Sequence, residues 1–561
     1  MRRPFAIAAF LAVPPIAPAA AHPTATFDWF EYRGDDRLPA PKTGEYRNPI
    51  LQGFYPDPSI TRVGDDYYLI NSTFSWFPGI PIFHSRDLVN WTQIGNAIDR
   101  PEQLDFGKLG MSRGLFAPSI SHHGGTFYIV NTCVDCGGNF VITSTNPRGP
   151  WSQPAWLPHV SGIDPSLFFD EEGSAWIVYN DGPPGQPLYD GHRAIWIQQF
   201  DPKSLTSSGQ RVLLVNGGVD ISKKPIWIEG PHIFRKDGWY YLIAAEGGTG
   251  ENHSQVVLRS HKVTGPYEPF GGNPILTQRD LPSDRPNPIT SAGHADFVEI
   301  QSGEWWATFL ATRPYGDDSY NTGRETFLMR VHWQDGWPRL TAPADIIPWT
   351  AKRPNLPAQR IPPVPTSGPM TYRDEFTGTK LPLHWMMMRQ PKERWWRLSG
   401  GALHLKARPI ALGDFGNPSF VARRQQHLTA TATTVVRFNP TTDSDEAGIA
   451  AIQNDEFWYF LAVGREGGKP VVRLRRRAGP EDAAIGVVVQ QTAFAAAAGT
   501  PVRLRVQARG AQYDFAWSTD GRRWRTLVSG ADGTILSTKR AGGFVGALIG
   551  PHARGGISSK P

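Results

Sequence analysis

Cysteine is nearly absent from this chain of 561 residues, which has only Cys133 and Cys136. A disulfide-rich scaffold is therefore excluded, and a single pair without matching ligands elsewhere does not make a four-ligand zinc site. A thioredoxin-type redox motif would need a βαβ setting, which the surrounding strand pattern does not supply. We predict a local disulfide between the two cysteines, as expected in an oxidising compartment.

Long apolar runs are also missing after the first 21 residues, and no later stretch approaches the ~20 apolar residues of a membrane span. Residues 1–21 combine Met1-Arg2-Arg3, a short apolar run and Ala19-Ala20-Ala21, which is the pattern of a cleaved secretory signal. The sequence thus predicts an exported protein, periplasmic or secreted, without membrane insertion.

A strong excess of one charge is absent as well. The formal charge of +6 is too small for the broad basic patch of a nucleic-acid-binding protein. Arg473, Arg475 and Arg477 alternate, which in a strand places all three on one face, and we interpret that face as solvated. His122 and His123 are adjacent and would point to opposite sides of a strand, which indicates surface histidines and not a metal site.

Long amphipathic helical patterns and several enzyme motifs are missing too. The glycine-rich stretch 246–250 lacks the Gly-Lys-Ser/Thr that holds phosphate. The motif His-Glu-x-x-His does not occur, so a metalloprotease function has no support. What the chain does have is 58 Gly, 51 Pro and 20 Trp, which is typical of many short strands joined by tight turns.

One phrase recurs five times and is the most informative pattern in the chain. Each copy has a Pro or Ala, a small or polar residue, an apolar residue, a turn and an aromatic-rich strand. The copies begin at Asp57, Ala117, Asp164, Glu229 and His294. Self-similarity at a period of roughly 45 to 65 residues, with strand-forming content, indicates a five-bladed β-propeller.

The remaining sequence divides around this repeat. We assign residues 46–347 to the propeller and the proline-rich residues 348–369 to a stiff, extended linker. Residues 370–561 carry short strands with hairpin signals and predict a lectin-like β-sandwich. Residues 22–45 form a separate N-terminal segment, in which 25–32 has the composition of a strand. The predicted fold class is all-β.

Three copies of the phrase carry a carboxylate at or beside the first position: Asp57, Asp164 and Glu229. Equivalent positions in successive blades face one axis, so we expect these side chains to converge. Inverting hydrolysis of a glycosidic bond needs one carboxylate to activate water and one protonated carboxyl to protonate the leaving oxygen, ~6.5–9.5 Å apart. A third carboxylate raises the pKa of the acid by like-charge repulsion. The alternative, acids that only cap turns before proline, fits one such residue better than three at equivalent positions.

The motifs around these acids resemble those of glycoside hydrolase family 43, the β-xylosidases and α-L-arabinofuranosidases. The matching segments are 53–60, 72–79, 84–91, 117–120, 164–168, 229–232, 245–249, 293–295 and 323–326. The resemblance covers the whole propeller and, through 416–420 and 453–455, reaches the sandwich that accompanies the β-xylosidase branch.

The resemblance implies an inverting hydrolase with Asp57 as general base, Glu229 as general acid and Asp164 as the carboxylate that tunes and orients Glu229. The substrate-binding residues that it implies are Phe74, Trp76, Phe116, His294 and Arg324. Phe74, Trp76 and Phe116 would wall the terminal sugar. No cofactor is required, although the family sometimes holds a calcium ion near the axis, so a structural calcium close to His294 is a secondary expectation.

Two departures from the family pattern lie close to the expected sugar pocket. Phe116 stands where relatives tend to have Trp, and Tyr55 stands where Asn is common. Both bear on substrate preference more than on mechanism. We expect an exo-acting β-1,4-xylosidase that releases xylose from the non-reducing end of xylo-oligosaccharides. The alternatives are an α-L-arabinofuranosidase on arabinoxylan side chains and a non-catalytic sugar-binding protein. Oligomeric state and sugar binding by the sandwich stay open.

The N-terminal strand is unusual for this resemblance. Relatives with this sandwich usually end in a closing strand of the type Asp-aromatic-Phe-x-Tyr, whereas this chain has that pattern at 28–32 and ends in a glycine-rich tail. We hypothesise that the N-terminal strand docks onto the sandwich and completes it. The alternative is an independent strand on the propeller rim.

Overall fold

The computed structural model describes residues 23–171, 173–497 and 499–556, so the predicted signal at 1–21 lies outside the described residues. Helical structure is limited there to the 3-10 turns Ile221–Lys223 and Gly533–Leu536 and the α-helical turn Thr538–Ala541. None of the helices in these ranges has the length and apolarity of a membrane span. The all-β prediction is confirmed.

Five antiparallel sheets follow one another along the chain and form the blades of a propeller. Blade 1 contains Ser59–Val63, Asp66–Ile70, Gly79–Ser85 and Thr92–Ile98. Blade 2 contains Ser119–His123, Thr126–Val134, Gly138–Ser144 and Ala155–Trp156, with Gly114–Leu115 also paired to its second strand. Blade 3 contains Ile163–Phe169, Ala175–Asp181, Ala194–Asp201 and Thr206–Asn216. Blade 4 contains Glu229–Lys236, Trp239–Glu246, Ser254–Ser260 and Glu268–Pro269, with Leu276–Thr277 also paired to its third strand. Blade 5 contains Thr290–Glu299, Trp305–Thr312, Glu325–Gln334 and Trp337–Arg339.

The first strand of each blade contacts the first strand of the next, and blade 5 contacts blade 1, so the ring is closed. The polar position of the repeated phrase joins neighbouring blades. The Ser59 hydroxyl donates to Asp296 Oδ2 at 2.8 Å and accepts from the Ile120 backbone N–H at 3.1 Å. The Ser166 hydroxyl donates to the Pro231 carbonyl at 2.6 Å. Because buried polar groups need partners, the small polar residue is part of the blade-to-blade contact.

The sandwich consists of two antiparallel sheets around a shared apolar core. The outer sheet contains, in order, Trp396–Ser399, Ala402–Lys406, Thr24–Gly34, Thr429–Arg437, Val502–Arg509, Gln512–Ser518 and Arg525–Asp532, with Met370–Asp374 also paired to Thr24–Gly34. The inner sheet contains Ser419–Phe420, Leu548–Arg554, Glu446–Asn454, Phe457–Glu466, Lys469–Ala478 and Val487–Ala493, with Arg423–Arg424 also paired to Leu548–Arg554. The far face of the inner sheet packs on the propeller, where Trp458 and Phe460 share an apolar cluster with Phe54 and Phe74.

The N-terminal strand Thr24–Gly34 lies inside the outer sheet. Its backbone pairs with Ala402–Lys406, Met370–Asp374 and Thr429–Arg437. The side chains of Phe27, Phe30 and Tyr32 are fully buried in the sandwich core, and a bulge between Phe27 and Trp29 brings all three to the same face. This is the pairing that the docking hypothesis expects, and the strand is not on the propeller rim.

A buried ion network fixes the end of this strand to the propeller. The Arg313 guanidinium lies 2.5 Å from both Asp36 Oδ2 and Glu325 Oε2, and it also donates to the Gln426 carbonyl at 3.1 Å. The Gly53 backbone N–H donates to Glu325 Oε1 at 2.6 Å. The N-terminal segment, blade 5 and the sandwich therefore meet at one arginine.

Short strand pairs also connect the two domains. Glu45–Arg47 pairs with Thr350–Lys352, so the proline-rich segment begins with a paired strand before it runs on to the sandwich. Trp76–Phe77 of the propeller pairs with Met387–Met388 of the sandwich. The two domains thus share backbone hydrogen bonds as well as apolar surface.

The prediction that Arg473, Arg475 and Arg477 form a solvated face is wrong. Arg473 and Arg475 both contact Glu446 Oε1 at 2.9 Å, and all three arginines are buried. Burial opposes ionisation of Glu446, but these cations, with Arg554, hold its pKa below the ordinary value. The alternating pattern correctly predicted that the three arginines share one face of a strand. That other parts of the chain cover this face is visible only in the tertiary structure.

Candidate active site

A cavity of about 460 Å³ opens at the centre of the propeller, where the first strands of the blades converge. The side chains that line it include Asp57 and Phe74 beside blade 1, Phe116 beside blade 2, Asp164 of blade 3, Glu229 of blade 4, and His294 and Arg324 of blade 5. All five blades therefore contribute to one site, as the repeat predicts.

The backbone at the start of the repeated phrase explains why these side chains converge. Asp57, Asp164, Gly230 and His294 occupy equivalent positions and have φ values of 51, 54, 56 and 50°. In blades 3, 4 and 5 the pairing register shifts at this point, which marks a β-bulge. Bulges re-aim side chains next to active sites, and Asp and Gly tolerate the left-handed conformation better than bulky residues do. Four of the five copies thus carry a left-handed residue at or beside the first position, and three of these four have a bulge there.

Asp57 is a buried carboxylate whose charge is compensated. Arg324 Nη1 lies 2.9 Å from Asp57 Oδ1, and the Ser72 hydroxyl donates to Asp57 Oδ2 at 2.5 Å. His294 Nδ1 lies 3.8 Å from Oδ1. These contacts, from Ser72 near blade 1 and from Arg324 and His294 at blade 5, fix the position of the Asp57 carboxyl group in the cavity.

Asp164 and Glu229 form a buried acidic pair across neighbouring blades, because the N–H of Gly230, directly after Glu229, donates to Asp164 Oδ2 at 3.2 Å. Burial, and then the charge of Asp57, raise the pKa of Asp164 to about 7. Burial, and then the charges of Asp164 and Asp57, raise the pKa of Glu229 well above its ordinary value. Burial and like-charge repulsion therefore act in the same direction on both carboxyl groups and favour their protonated forms.

Three phenylalanine rings form the apolar wall of the cavity. The Phe74 centroid lies 5.2 Å from that of Phe116 and 5.6 Å from that of Phe544, and Phe116 and Phe544 are also 5.6 Å apart. The Arg324 guanidinium lies 5.5 Å from the Phe544 ring and donates to the Phe544 carbonyl at 3.4 Å. Since Phe544 belongs to the sandwich, the second domain completes the site.

These features match a known family. The profile of Glycosyl hydrolases family 43 matches residues 46–338, and that of the Beta xylosidase C-terminal Concanavalin A-like domain matches residues 373–560. The chain belongs to glycosyl hydrolase family 43. It is 37% identical to a xylosidase/arabinosidase of Butyrivibrio fibrisolvens, with 90% of this chain and 95% of the relative covered.

Two further family 43 proteins extend the comparison. A non-reducing end alpha-L-arabinofuranosidase of Bacteroides ovatus is 35% identical, with 91% of each chain covered. The crystal structure of a family 43 protein from a capybara gut metagenome superposes with a TM-score of 0.87 at 40% identity, covering 95% of this chain and 100% of the other. The likeness therefore includes both domains.

Trp76 requires a correction, because it does not line the family 43 cavity as the sequence predicts. Its indole is fully buried in the cluster that joins the propeller to the sandwich, with its ring centroid 6.4 Å from that of Phe420. The strand Trp76–Phe77 pairs with the sandwich at Met387–Met388. Trp76 is thus part of the domain interface, and Phe544 is the third aromatic ring of the cavity wall.

Phe544, Arg193 and Trp227 are residues of the site that sequence reasoning missed. Arg193 donates to Asn180 Oδ1 at 2.7 Å, and its guanidinium lies 5.0 Å from the Trp227 ring. Trp227 precedes Glu229 by only two residues, and this proximity could have indicated that Trp227 is near the cavity. Arg193 and Phe544, in contrast, lie in no copy of the phrase. Both reach the cavity only through the tertiary structure.

The turn with the two cysteines also borders the cavity. Cys133 and Cys136 form a disulfide, and Val134 between them lines the cavity. Asp135 in the same turn forms an ion pair with Arg113, another lining residue, at 2.6 Å. The disulfide closes a short turn at the rim of the site.

His294 lies close to the axis but not in a calcium-binding arrangement of side chains. A Cβ atom on Gly230 would lie 2.6 Å from His294 Nε2, so the imidazole packs tightly against that backbone. Burial lowers the pKa of His294 to about 3. Across the described ranges, no three His, Cys, Asp or Glu side chains are grouped to hold a metal ion. The residues around His294 do not supply the six to eight oxygen ligands typical of calcium.

Proposed function

We propose that this family 43 protein is an exo-acting β-1,4-xylosidase that releases xylose from the non-reducing end of xylo-oligosaccharides with inversion. The observation that carries the proposal is the difference between two carboxyl groups in one cavity. Asp57 is paired with Arg324 at 2.9 Å, whereas the pKa of Glu229 is raised well above its ordinary value by burial and by Asp164. Inverting hydrolysis needs one charged and one protonated carboxyl group.

In the proposed reaction, the Asp57 carboxylate accepts a proton from a water molecule as its oxygen attacks the anomeric carbon. The bond from that carbon to the glycosidic oxygen breaks, and Glu229 donates its proton to the leaving oxygen. Asp57 ends protonated and Glu229 ionised, and exchange with solvent restores both. Burial, and then the Asp164 charge, raise the pKa of Glu229 and so favour the protonated acid before each turnover.

The shape of the cavity supports exo action on a pentose. The rings of Phe74, Phe116 and Phe544 close one side, and their apolar faces suit the C–H faces of a sugar ring. A volume of about 460 Å³ is at the small end of ligand sites. Arg324 would hold Asp57 and a substrate hydroxyl at the same time.

α-L-Arabinofuranosidase activity is the second candidate. It is favoured by the relatives, one named xylosidase/arabinosidase at 37% identity and one named alpha-L-arabinofuranosidase at 35% identity. Xylose and arabinose have the same composition and similar size, so one cavity can accept either. Export to the periplasm or medium, proposed from residues 1–21, would place the enzyme where oligosaccharide substrates occur.

The test uses xylobiose and aryl α-L-arabinofuranoside with the wild type, Glu229→Ala and the surface control Glu171→Gln, whose side chain is 83% exposed. We expect the wild type to hydrolyse xylobiose, with α-xylose as the first product seen by NMR. Glu229→Ala should lose about 10²- to 10⁴-fold in kcat, and Glu171→Gln should keep full activity. Full activity in Glu229→Ala contradicts the acid assignment. If the wild type hydrolyses neither pentoside, the sugar-binding alternative replaces the proposal.

A further inference from the structure

The solvent face of the outer sheet carries a second concave site, which we call the Trp29–Trp524 groove. It encloses about 560 Å³ and is lined by Trp29 and Trp524 together with polar side chains of four neighbouring strands. None of its lining residues lines the catalytic cavity. The groove is therefore a separate site on the other domain.

Two indoles flank this groove, and an arginine guanidinium group stacks on each of them. The Arg373 guanidinium lies 4.0 Å from the Trp29 ring, and the Arg505 guanidinium lies 3.5 Å from the Trp524 ring. Both tryptophans stay partly exposed. An indole with one face on a guanidinium keeps apolar surface for a sugar ring at low entropic cost, because the stacked side chain is already ordered.

The groove also carries polar groups that lack partners. These are the side chains of Thr431, Thr433, Arg503, Arg505 and Gln507. Within the described ranges, none of them makes a hydrogen bond or an ion pair, and Arg505 Nε is a buried donor without an acceptor. Buried polar groups are ordinarily satisfied, and an unsatisfied donor is costly. A row of free hydroxyl, amide and guanidinium groups indicates a ligand that supplies acceptors.

The charge of the groove indicates the chemical class of that ligand. Four arginines line it, at positions 33, 373, 503 and 505, against a single acid, Glu31. Glu31 is paired with Arg33 at 2.8 Å and also lies 3.8 Å from Arg373, so one carboxylate is shared among four guanidinium groups and the groove keeps an excess of positive charge. The planar guanidinium group matches a carboxylate through two parallel hydrogen bonds.

We propose that the Trp29–Trp524 groove binds a polysaccharide chain with uronic acid substituents, as a non-catalytic anchoring site. The indoles would contact the sugar rings, Thr431, Thr433 and Gln507 would bind hydroxyls, and Arg503 and Arg505 would bind the uronate carboxylate. The N-terminal strand Thr24–Gly34 contributes Trp29, Glu31 and Arg33 to the groove. The strand that completes the outer sheet thus also completes this site.

The test measures binding of a glucuronic acid-substituted xylan and of a neutral arabinoxylan to the full chain carrying Glu229→Ala, which prevents turnover. Affinity electrophoresis or calorimetry should show tighter binding of the acidic polymer. Trp524→Ala and the milder Arg505→Gln should each weaken it about tenfold, because the first removes the indole that contacts a sugar ring and the second removes a charge-assisted hydrogen bond. The matched controls are Arg523→Gln in the same turn and Trp156→Ala, an exposed indole of blade 2; both should bind normally.

Three results would overturn the proposal. The first is unchanged affinity in both Trp524→Ala and Arg505→Gln, and the second is equal affinity for the neutral and acidic polymers. The third is a change in oligomeric state caused by either variant in light scattering, which would make the groove an interface between copies. Because binding is measured with an inactive chain, failure of the proposed xylosidase activity leaves this test intact. In the active chain, Trp524→Ala should leave kcat/KM on an aryl xyloside unchanged.

Discussion

Replacing Phe544 by alanine tests whether the sandwich completes the catalytic cavity. The substitution removes two ring pairs, with Phe74 and with Phe116 at 5.6 Å each, and one contact with the Arg324 guanidinium at 5.5 Å. At about 0.5–1.5 kcal/mol for each ring pair and about 0.5–1 kcal/mol for the cation–π contact, the total is about 1.5–4 kcal/mol. These contacts position the cavity wall and Arg324, which itself holds Asp57 at 2.9 Å.

We expect kcat/KM of Phe544→Ala on an aryl β-xyloside to fall about 10- to 100-fold, which corresponds to roughly 1.4–2.8 kcal/mol. KM should account for most of the change, because the ring would contact the sugar equally in the ground state and the transition state. Phe544→Leu retains apolar volume and should lose less. The matched control is Phe415→Ala, since Phe415 is a sandwich phenylalanine that is 63% exposed. A kcat/KM of Phe544→Ala within twofold of the wild type refutes the assignment.

Three further predictions concern the acidic pair, the buried ion network and the N-terminal strand. In Asp164→Asn the loss of a negative charge should lower the pKa of Glu229, so the alkaline limb of the kcat/KM profile should move to lower pH; an unmoved limb contradicts the coupling. Glu446→Gln should lower the unfolding free energy by about 3–5 kcal/mol in urea, because it leaves buried arginines unpaired, whereas the exposed Glu481→Gln should not. Since the pKa of Glu446 is lowered by folding, its contribution is present above the unfolded-state pKa and is lost as the pH falls through the folded-state value. A shortened variant that begins at Asp35 lacks the strand Thr24–Gly34, and its sandwich should unfold at a lower temperature than that of the full chain in calorimetry. An unchanged unfolding temperature of the sandwich would show that the strand does not stabilise it.

The repeated phrase was sufficient to predict the propeller and to bring Asp57, Asp164 and Glu229 together. It was sufficient because four of the five copies contain a local cause of the convergence, a left-handed residue at or beside the first position. The three acids therefore converge in any closed ring of such blades. The strand pattern at 25–32 was equally informative, since its aromatic and β-branched residues predict a strand wherever it pairs, although the bulge between Phe27 and Trp29 shows only in the structure.

Other residues were misplaced because their surroundings come from distant parts of the chain. Trp76 lies two residues from Phe74, yet the sandwich covers it and excludes it from the cavity. Arg473 and Arg475 alternate as surface residues do, but Glu446 lies 27 and 29 positions away and neutralises them inside the domain. No local pattern distinguishes a buried, paired arginine from a solvated one.

The amino-acid sequence was sufficient to predict the blade count, the all-β class and the convergence of the three acids, since each follows from the five-fold repeat. The tertiary structure was needed to show which aromatic rings wall the cavity, where the N-terminal strand pairs and which arginines are buried. Those outcomes depend on contacts between the propeller and the sandwich, and between residues hundreds of positions apart, such as Arg324 with Asp57 and Thr24–Gly34 with Thr429–Arg437. Such contacts form because the two domains bury apolar surface against each other. A single stretch of sequence does not show which segment of the other domain will cover it.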